Sequence, residues 1–343
     1  MSSTPMGIVN FGAFTLQAAQ LIQQAIAQAG FGTTGKIYYC DPVNGLDTNN
    51  GQLAATVPGT SQGPVQTLLA GYNLLRSGFN DVLVLIGNGQ ASGSARITSF
   101  TWSKNAAHLM GVCAPSAVSQ RARIANPTTA GLVITANFFT VSGNGCLFAN
   151  LSWFQGAGAG QTGIAAAICM TITGSRNAFI NCDFEGMGDT TASADAGSRN
   201  ILISGGGQEN FFKHCNIGLD TVQRTNANAS VEIAGGGPRN IFEDCTFLFD
   251  SSDGLQYALL GANAAALDRW IGFKGCNFIN SVGSGSTAIA QLFHLVAAVG
   301  GIAYLDANCG WAGVTAVGDA TTKGLTYAAG GTATNGVKGI VQT

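Results

Sequence analysis

Apolar positions along this chain fall into columns that repeat. The string NAFINCDF at residues 177–184 returns as NFFKHCNI at 210–217, NIFEDCTF at 240–247 and IGFKGCNF at 271–278. A looser copy, YLDANCGW, lies at 304–311, and an earlier one, CLFANLSW, at 146–153. The sixth position is Leu151, Cys182, Cys215, Cys245, Cys276 and Cys309, spaced by 31, 33, 30, 31 and 33 residues. The third is Phe148, Phe179, Phe212, Phe242 and Phe273, and the eighth is Trp153, Phe184, Ile217, Phe247, Phe278 and Trp311. Like residues recurring at such a period mark a stack of similar units, each burying its apolar side against the next.

The fifth position reads Asn150, Asn181, His214, Asp244, Gly275 and Asn308. Asn, Asp and Gly tolerate a left-handed backbone, and one such residue between two short strands turns the chain while keeping the third, sixth and eighth side chains on one interior. A further strand precedes each copy, with Val141, Ile172, Ile203 and Ile233 spaced by 31, 31 and 30 residues and each followed two residues later by Gly. Propeller blades need antiparallel strands and hairpin turns, and the Asn-Gly or Asp-Gly signals for these are missing between the strands. The pattern therefore predicts an all-β, right-handed parallel β-helix of about seven coils between Asp81 and Gly310, about 35 Å long at the interstrand spacing.

Four segments follow from this. Residues 1–35 form an uncharged arm in which Thr15 caps a helix and Leu16, Ala19, Ile22, Ile26 and Ala29 make an apolar stripe. Residues 36–80 are an extended segment and a capping helix, with Val65, Leu68, Leu69, Tyr72 and Leu75 expected on its buried face. Residues 81–310 are the coils, and 311–343 a Gly- and Thr-rich tail expected to lie on a neighbouring copy. An uncharged amphipathic arm outside a stack points to an interface, with Phe11, Phe14, Leu16, Ile22 and Ile26 as the contact residues. The alternative is a helix folded back on its own coils.

Composition adds to this picture. Charged residues are 9% of the 343, against 46% apolar and 49 glycines, so the surface is expected to be partly covered by copies of the chain or by a larger assembly. A net charge of −2 gives no reason to expect nucleic acid or an anionic membrane as partner. No run of the sequence reads as a signal peptide or membrane span, so synthesis in a cytoplasm is expected. The nine cysteines include no C-x-x-C pair and read as reduced core thiols.

Candidate chemistry is sparse. The acids considered for carbohydrate work are Asp183, Glu185, Asp220, Glu243 and Asp244, and no facing pair of carboxyls is legible among them. His108, His214 and His294 fall in different coils, with His214 in the corner column. Residues 41–51 are rich in oxygen ligands but lack the spacing of a calcium loop, and Asx turns account for them. No catalytic residue, metal or cofactor is expected.

The run KIYYCDPVNGLDTNNGQ at 36–52, the helix that follows Pro64 and the strand DVLVLIGNG at 81–89 resemble the opening of pectate-lyase-like β-helix proteins found in phage genomes. The segment GVCAPSAVSQRARIA at 111–125 and the coils with N-x-F-x-x-C-x-F are similar to virion proteins encoded near phage head genes, over roughly residues 36 to 318. The resemblance implies a virion location and one of two roles: a homotrimeric capsid decoration protein, or a tailspike that cleaves surface polysaccharide as a glycosidase or lyase. This chain departs from tailspikes in having only about 35 residues ahead of the coils and no acidic cleft framed by aromatics. The expectation is therefore a non-enzymatic capsid decoration protein of a tailed phage, made in the bacterial cytoplasm. Its expected partners are copies of itself, the major capsid protein or another head protein, and a host surface glycan; neither nucleic acid nor membrane is expected.

Overall fold

The computed structural model describes residues 35–318, except 115, 117, 120–121, 282–284 and 296–299, together with 325–327. Among these residues the strands form three parallel sheets of ten, eight and seven strands, and each coil gives one strand to each sheet in turn. Every pairing is parallel and joins equivalent positions of successive coils, as in Phe179 with Phe148 and Phe212. The seven-stranded sheet counts the complete coils, which run from the strand Asp81–Ile86 to the strand Phe293–Leu295. The chain is a right-handed parallel β-helix.

The columns are the interior. Phe148, Phe179, Phe212, Phe242 and Phe273 are fully buried, and successive rings stack at 4.9, 4.8, 4.4 and 5.2 Å between centroids. Trp153 and Phe184 stack beside them at 5.3 Å. Asn150, Asn181, His214, Asp244 and Gly275 all hold φ between 52° and 59°, the left-handed corner the fifth column requires. The cysteines sit just inside this corner. Their Sγ atoms lie 3.3–3.5 Å from the carbonyl of the phenylalanine one coil back, as in Cys215 with Phe179 and Cys245 with Phe212. Burial pushes the thiols of Cys215 and Cys245 far above the usual range.

The last coil departs from the alignment by one residue. Phe273 pairs with Leu305 and Phe278 with Trp311, so five steps in one coil face six in the next. The extra residue widens the corner, and Asn308 is not left-handed as its column predicts.

A second internal ladder lies at the opposite corner, where the chain enters the ten-stranded sheet. The Oδ1 atoms of Asn177, Asn210 and Asn240 accept from the backbone N–H of Cys146, Asn177 and Asn210 at 2.8, 2.9 and 2.8 Å. Their Nδ2 groups donate to the carbonyls of Gly143, Gly174 and Gly207. Each amide thus satisfies a donor and an acceptor that the turn would otherwise bury unpaired.

The capping helix, α1 (Leu68–Leu74), closes the first coil. Thr67 Oγ1 accepts from Ala70 N–H at 3.2 Å and starts it. Val65, Leu68, Tyr72 and Leu75 are buried, but Leu69 is 57% exposed and does not belong to the buried face. The reason is angular: Leu69 follows Leu68 by about 100° around the helix. Tyr72 packs on Phe100 and Trp102 at 5.2 and 4.9 Å. Lys104 Nζ donates to the carbonyls of Tyr72 and Leu75 at 2.6 and 2.7 Å, which holds the open end of the helix. Arg76 then grips the buried Asp81 of the first full coil through Nε and Nη2.

The described part of the tail also differs from expectation. Leu325–Tyr327 pairs in parallel with Ile302–Leu305 of the same chain and extends its ten-stranded sheet. The last strand of a stack offers a row of unpaired backbone groups, and the chain uses its own tail to meet part of it.

Candidate functional site

The five acids considered for carbohydrate chemistry are brought to separate places. Asp183 and Glu185 share one strand of the eight-stranded sheet, and alternation turns both outward while Phe184 fills the interior. Both are buried. Glu185 pairs with Arg123 Nη2 at 3.3 Å, and the Arg123 guanidinium lies over the Phe154 ring at 4.1 Å. Asp183 Oδ1 accepts from Asn216 Nδ2 at 2.9 Å. Glu243 stands on a different sheet, beside Lys213 Nζ at 2.6 Å, and Asp244 holds the next corner, 3.3 Å from His214 Nε2. Asp220 lies in the loop beyond the eight-stranded sheet.

Arg123, Phe154, Asp183, Glu185 and Asn216 form one cluster on the eight-stranded sheet, and its cation was not legible in sequence. Arg123 falls in the coil that starts at Ala107, where ten residues of sequence separate the strands Ala107–Val112 and Arg123–Ala125 and break the period. Only the register from Arg123 through Ser152 to Asp183 brings it to Glu185. The arrangement can lock four successive coils together laterally. Its carboxylates, 2% and 3% exposed, present no surface to a sugar.

Pairing is general among the glutamates. The chain has four glutamates, and each faces a cation: Glu185 with Arg123, Glu209 with Arg176 and Arg239, Glu232 with Arg199, and Glu243 with Lys213. The aspartates are not all matched in this way: Asp41, Asp47, Asp189, Asp195 and Asp306 accept from backbone N–H groups.

The histidines do not meet. His108 is buried, its Nδ1 accepts from Leu147 N–H at 3.0 Å, and burial pushes its pKa down to about 4. His214 is at its corner beside Asp244, and His294 lies against the Tyr257 ring with Nδ1 3.0 Å from Gln291 Nε2. In residues 41–51, Asp41 accepts from the N–H groups of Val43 and Asn44, and Asp47 from those of Gln66 and Thr67. The carboxylates there tie turns together. Among the described residues no group of three or more His, Cys, Asp or Glu is placed to hold a metal ion, and no helix is long and apolar enough to cross a membrane. The contact candidates Phe11, Phe14, Leu16, Ile22 and Ile26 lie outside the described residues.

No family model matches the chain, and no curated protein matches it. Among solved structures it is similar to pectate lyase Pel9A, at 15% identity and a TM-score of 0.53, over 81% of this chain and 64% of that one. The chain thus spans under two thirds of that lyase. Fainter likenesses are to pectin methylesterase PemA from Erwinia chrysanthemi (14% identity, TM-score 0.45, 82% of each chain) and to ORF18 of Geobacillus virus E2 (13%, 0.42, 91% of this chain and 57% of that one). The likeness to pectate lyase corrects one expectation. A chain whose fold is that of a pectate lyase cannot be set apart from enzymes on its architecture, and the reading of it as no enzyme does not stand. That reading rested on the absence of a legible acid pair, which is a weak ground where the register between coils, and not spacing in sequence, decides which side chains meet. What the likeness establishes is the pectate-lyase-like parallel β-helix fold.

Proposed function

We propose that the chain is a structural protein of a tailed-phage particle, a capsid decoration protein held on the head through its N-terminal arm and standing there as a homotrimer. The observation that carries this reading is the scarcity of charge. Charge is 9% of the sequence, and all four glutamates are spent on cations of the same chain. A surface with so few charges draws little solubility from them. It suits burial against copies of the chain or against a shell.

The arm supports the attachment. Its apolar stripe of Leu16, Ile22 and Ile26, with Phe11 and Phe14 ahead of it, has no charge to hold it in water. The partner it fits is an apolar groove on the major capsid protein or another head protein. Immunogold labelling of purified particles with an antibody to the coils tests the proposal. Label over the head is expected, and label confined to the tail tip overturns it.

A further inference from the structure

The outer face of the ten-stranded sheet changes along the stack. In the first coils it is already covered, and Tyr39, Val82, Val84 and Met110 form a second buried cluster packed against Ala54. Further on, Phe211 and Ile241 are successive outward positions beside the stacked phenylalanines, both half-exposed, and Ile180 heads the row that continues as Lys213 and Glu243. Trp270 and Ile302 continue the apolar strip at 36% and 42% exposure. Exposed apolar side chains gathered on one face of a charge-poor chain mark a contact surface.

Its two margins say what covers it. The chain enters the sheet past Glu209, Arg239 and Trp270 in three successive coils, and leaves it past Lys213, Glu243 and Lys274 in the same three. At each level the margins are complementary: acid opposite base, base opposite acid, indole opposite ammonium. Within the chain the charges pair along each margin, Arg176 with Glu209 at 2.7 Å and Lys213 with Glu243 at 2.6 Å, not across the strip.

We propose that this strip is where copies of the chain pack together, side by side about an axis parallel to the stack. Rotation about such an axis keeps every coil at its own level, so the entering margin of one copy meets the leaving margin of the next. Glu209 then faces the partner's Lys213, Arg239 the partner's Glu243, and Trp270 the partner's Lys274, an ion pair, an ion pair and a cation–π contact. Phe211 and Ile241 are covered between them. This rests on the reading of the chain as a self-associating particle protein and names the face through which it associates.

Sedimentation of the purified full chain and of three variants tests it, with circular dichroism and melting to establish that each is folded. Arg239→Glu and Glu243→Arg each place like charges across the contact, and each is expected to weaken association about tenfold or more. The double variant, Arg239→Glu with Glu243→Arg, restores opposite charges between copies and is expected to restore the oligomer. Its pairing within the chain is worse than in either single variant, so a merely internal effect predicts further loss. A wild-type monomer, an oligomer indifferent to all three variants, or a double variant weaker than both singles overturns the proposal. A dimer with the same rescue keeps the face and overturns the threefold count of the reading above.

Discussion

The backbone N–H of Leu147 donates to Nδ1 of His108 at 3.0 Å, where every later coil uses a backbone carbonyl. In those coils the equivalent N–H groups of Ala178, Phe211 and Ile241 donate to the carbonyls of Cys146, Asn177 and Asn210. Here the matching carbonyl, that of Ala107, is taken by the indole N–H of Trp102 at 3.1 Å. The imidazole replaces the lost acceptor. Its Nδ1 must therefore be unprotonated, and Nε2, 3.3 Å from Asn80 Oδ1, carries the proton.

This gives a pH dependence with a definite sign. Burial lowers the folded pKa of His108 from 6.5 to about 4, so between these values the unfolded chain binds the proton that the folded chain refuses. Its contribution is full above about pH 6.5 and is lost as pH falls towards 4, a total of about 3 kcal/mol. His108→Gln keeps an acceptor for Leu147 and does not titrate. Urea unfolding of both proteins from pH 7 to 4 should show a gap that closes or reverses in favour of the variant at low pH. Parallel curves would remove His108 from the account of acid stability.

The asparagine ladder predicts an order of stability. Asn210→Leu strands the N–H of Asn177 and the carbonyl of Gly174, which costs about 3 kcal/mol. Asn210→Asp keeps the acceptor but buries a carboxylate against the Gly174 carbonyl and should lose at least as much. Denaturant midpoints would report this order, and a loss below about 0.5 kcal/mol in the leucine variant, the range of an ordinary surface change, would contradict it.

The thiols give a count. Eight of the nine cysteines are buried and Cys113 is partly exposed, and all nine are free. An aromatic disulfide reagent should titrate Cys113 alone in the native protein, and all nine once it is unfolded without reductant. Fewer than nine in the unfolded protein would reveal a bridge.

Much of the fold was legible because stacking demands like residues at like positions. Phe179, Phe212 and Phe242 declared one column, and the left-handed Asn181, His214 and Asp244 declared its corner. The leading asparagines of the same string, Asn177, Asn210 and Asn240, were equally visible, but their role was not. A buried amide serving a turn one coil away looks in sequence like any polar residue before a strand. The pairing of Arg123 with Glu185 was hidden for a different reason, since the ten residues of sequence between two strands of its coil removed the spacing that aligns the others. Leu69 misled because an apolar residue on a short helix need not belong to its buried side.

The arm and the coils should separate by substitution. Ile22→Asp places a lone charge in the proposed head contact, at a cost of several kcal/mol to attachment. Each coil stacks only on its neighbours, so the variant should keep its β-rich spectrum and cooperative melt while it no longer copurifies with particles. Failure to fold would place the arm in the stack, and undiminished attachment would move the contact elsewhere.

Cryo-microscopy of the intact particle tests the proposed role most directly. Parallel rods about 35 Å long, the length of seven coils at the interstrand spacing, should stand on the capsid shell in groups of three with their ten-stranded sheets turned inward. Density for the coils at the tail tip alone, or none on the particle, would contradict a capsid decoration protein.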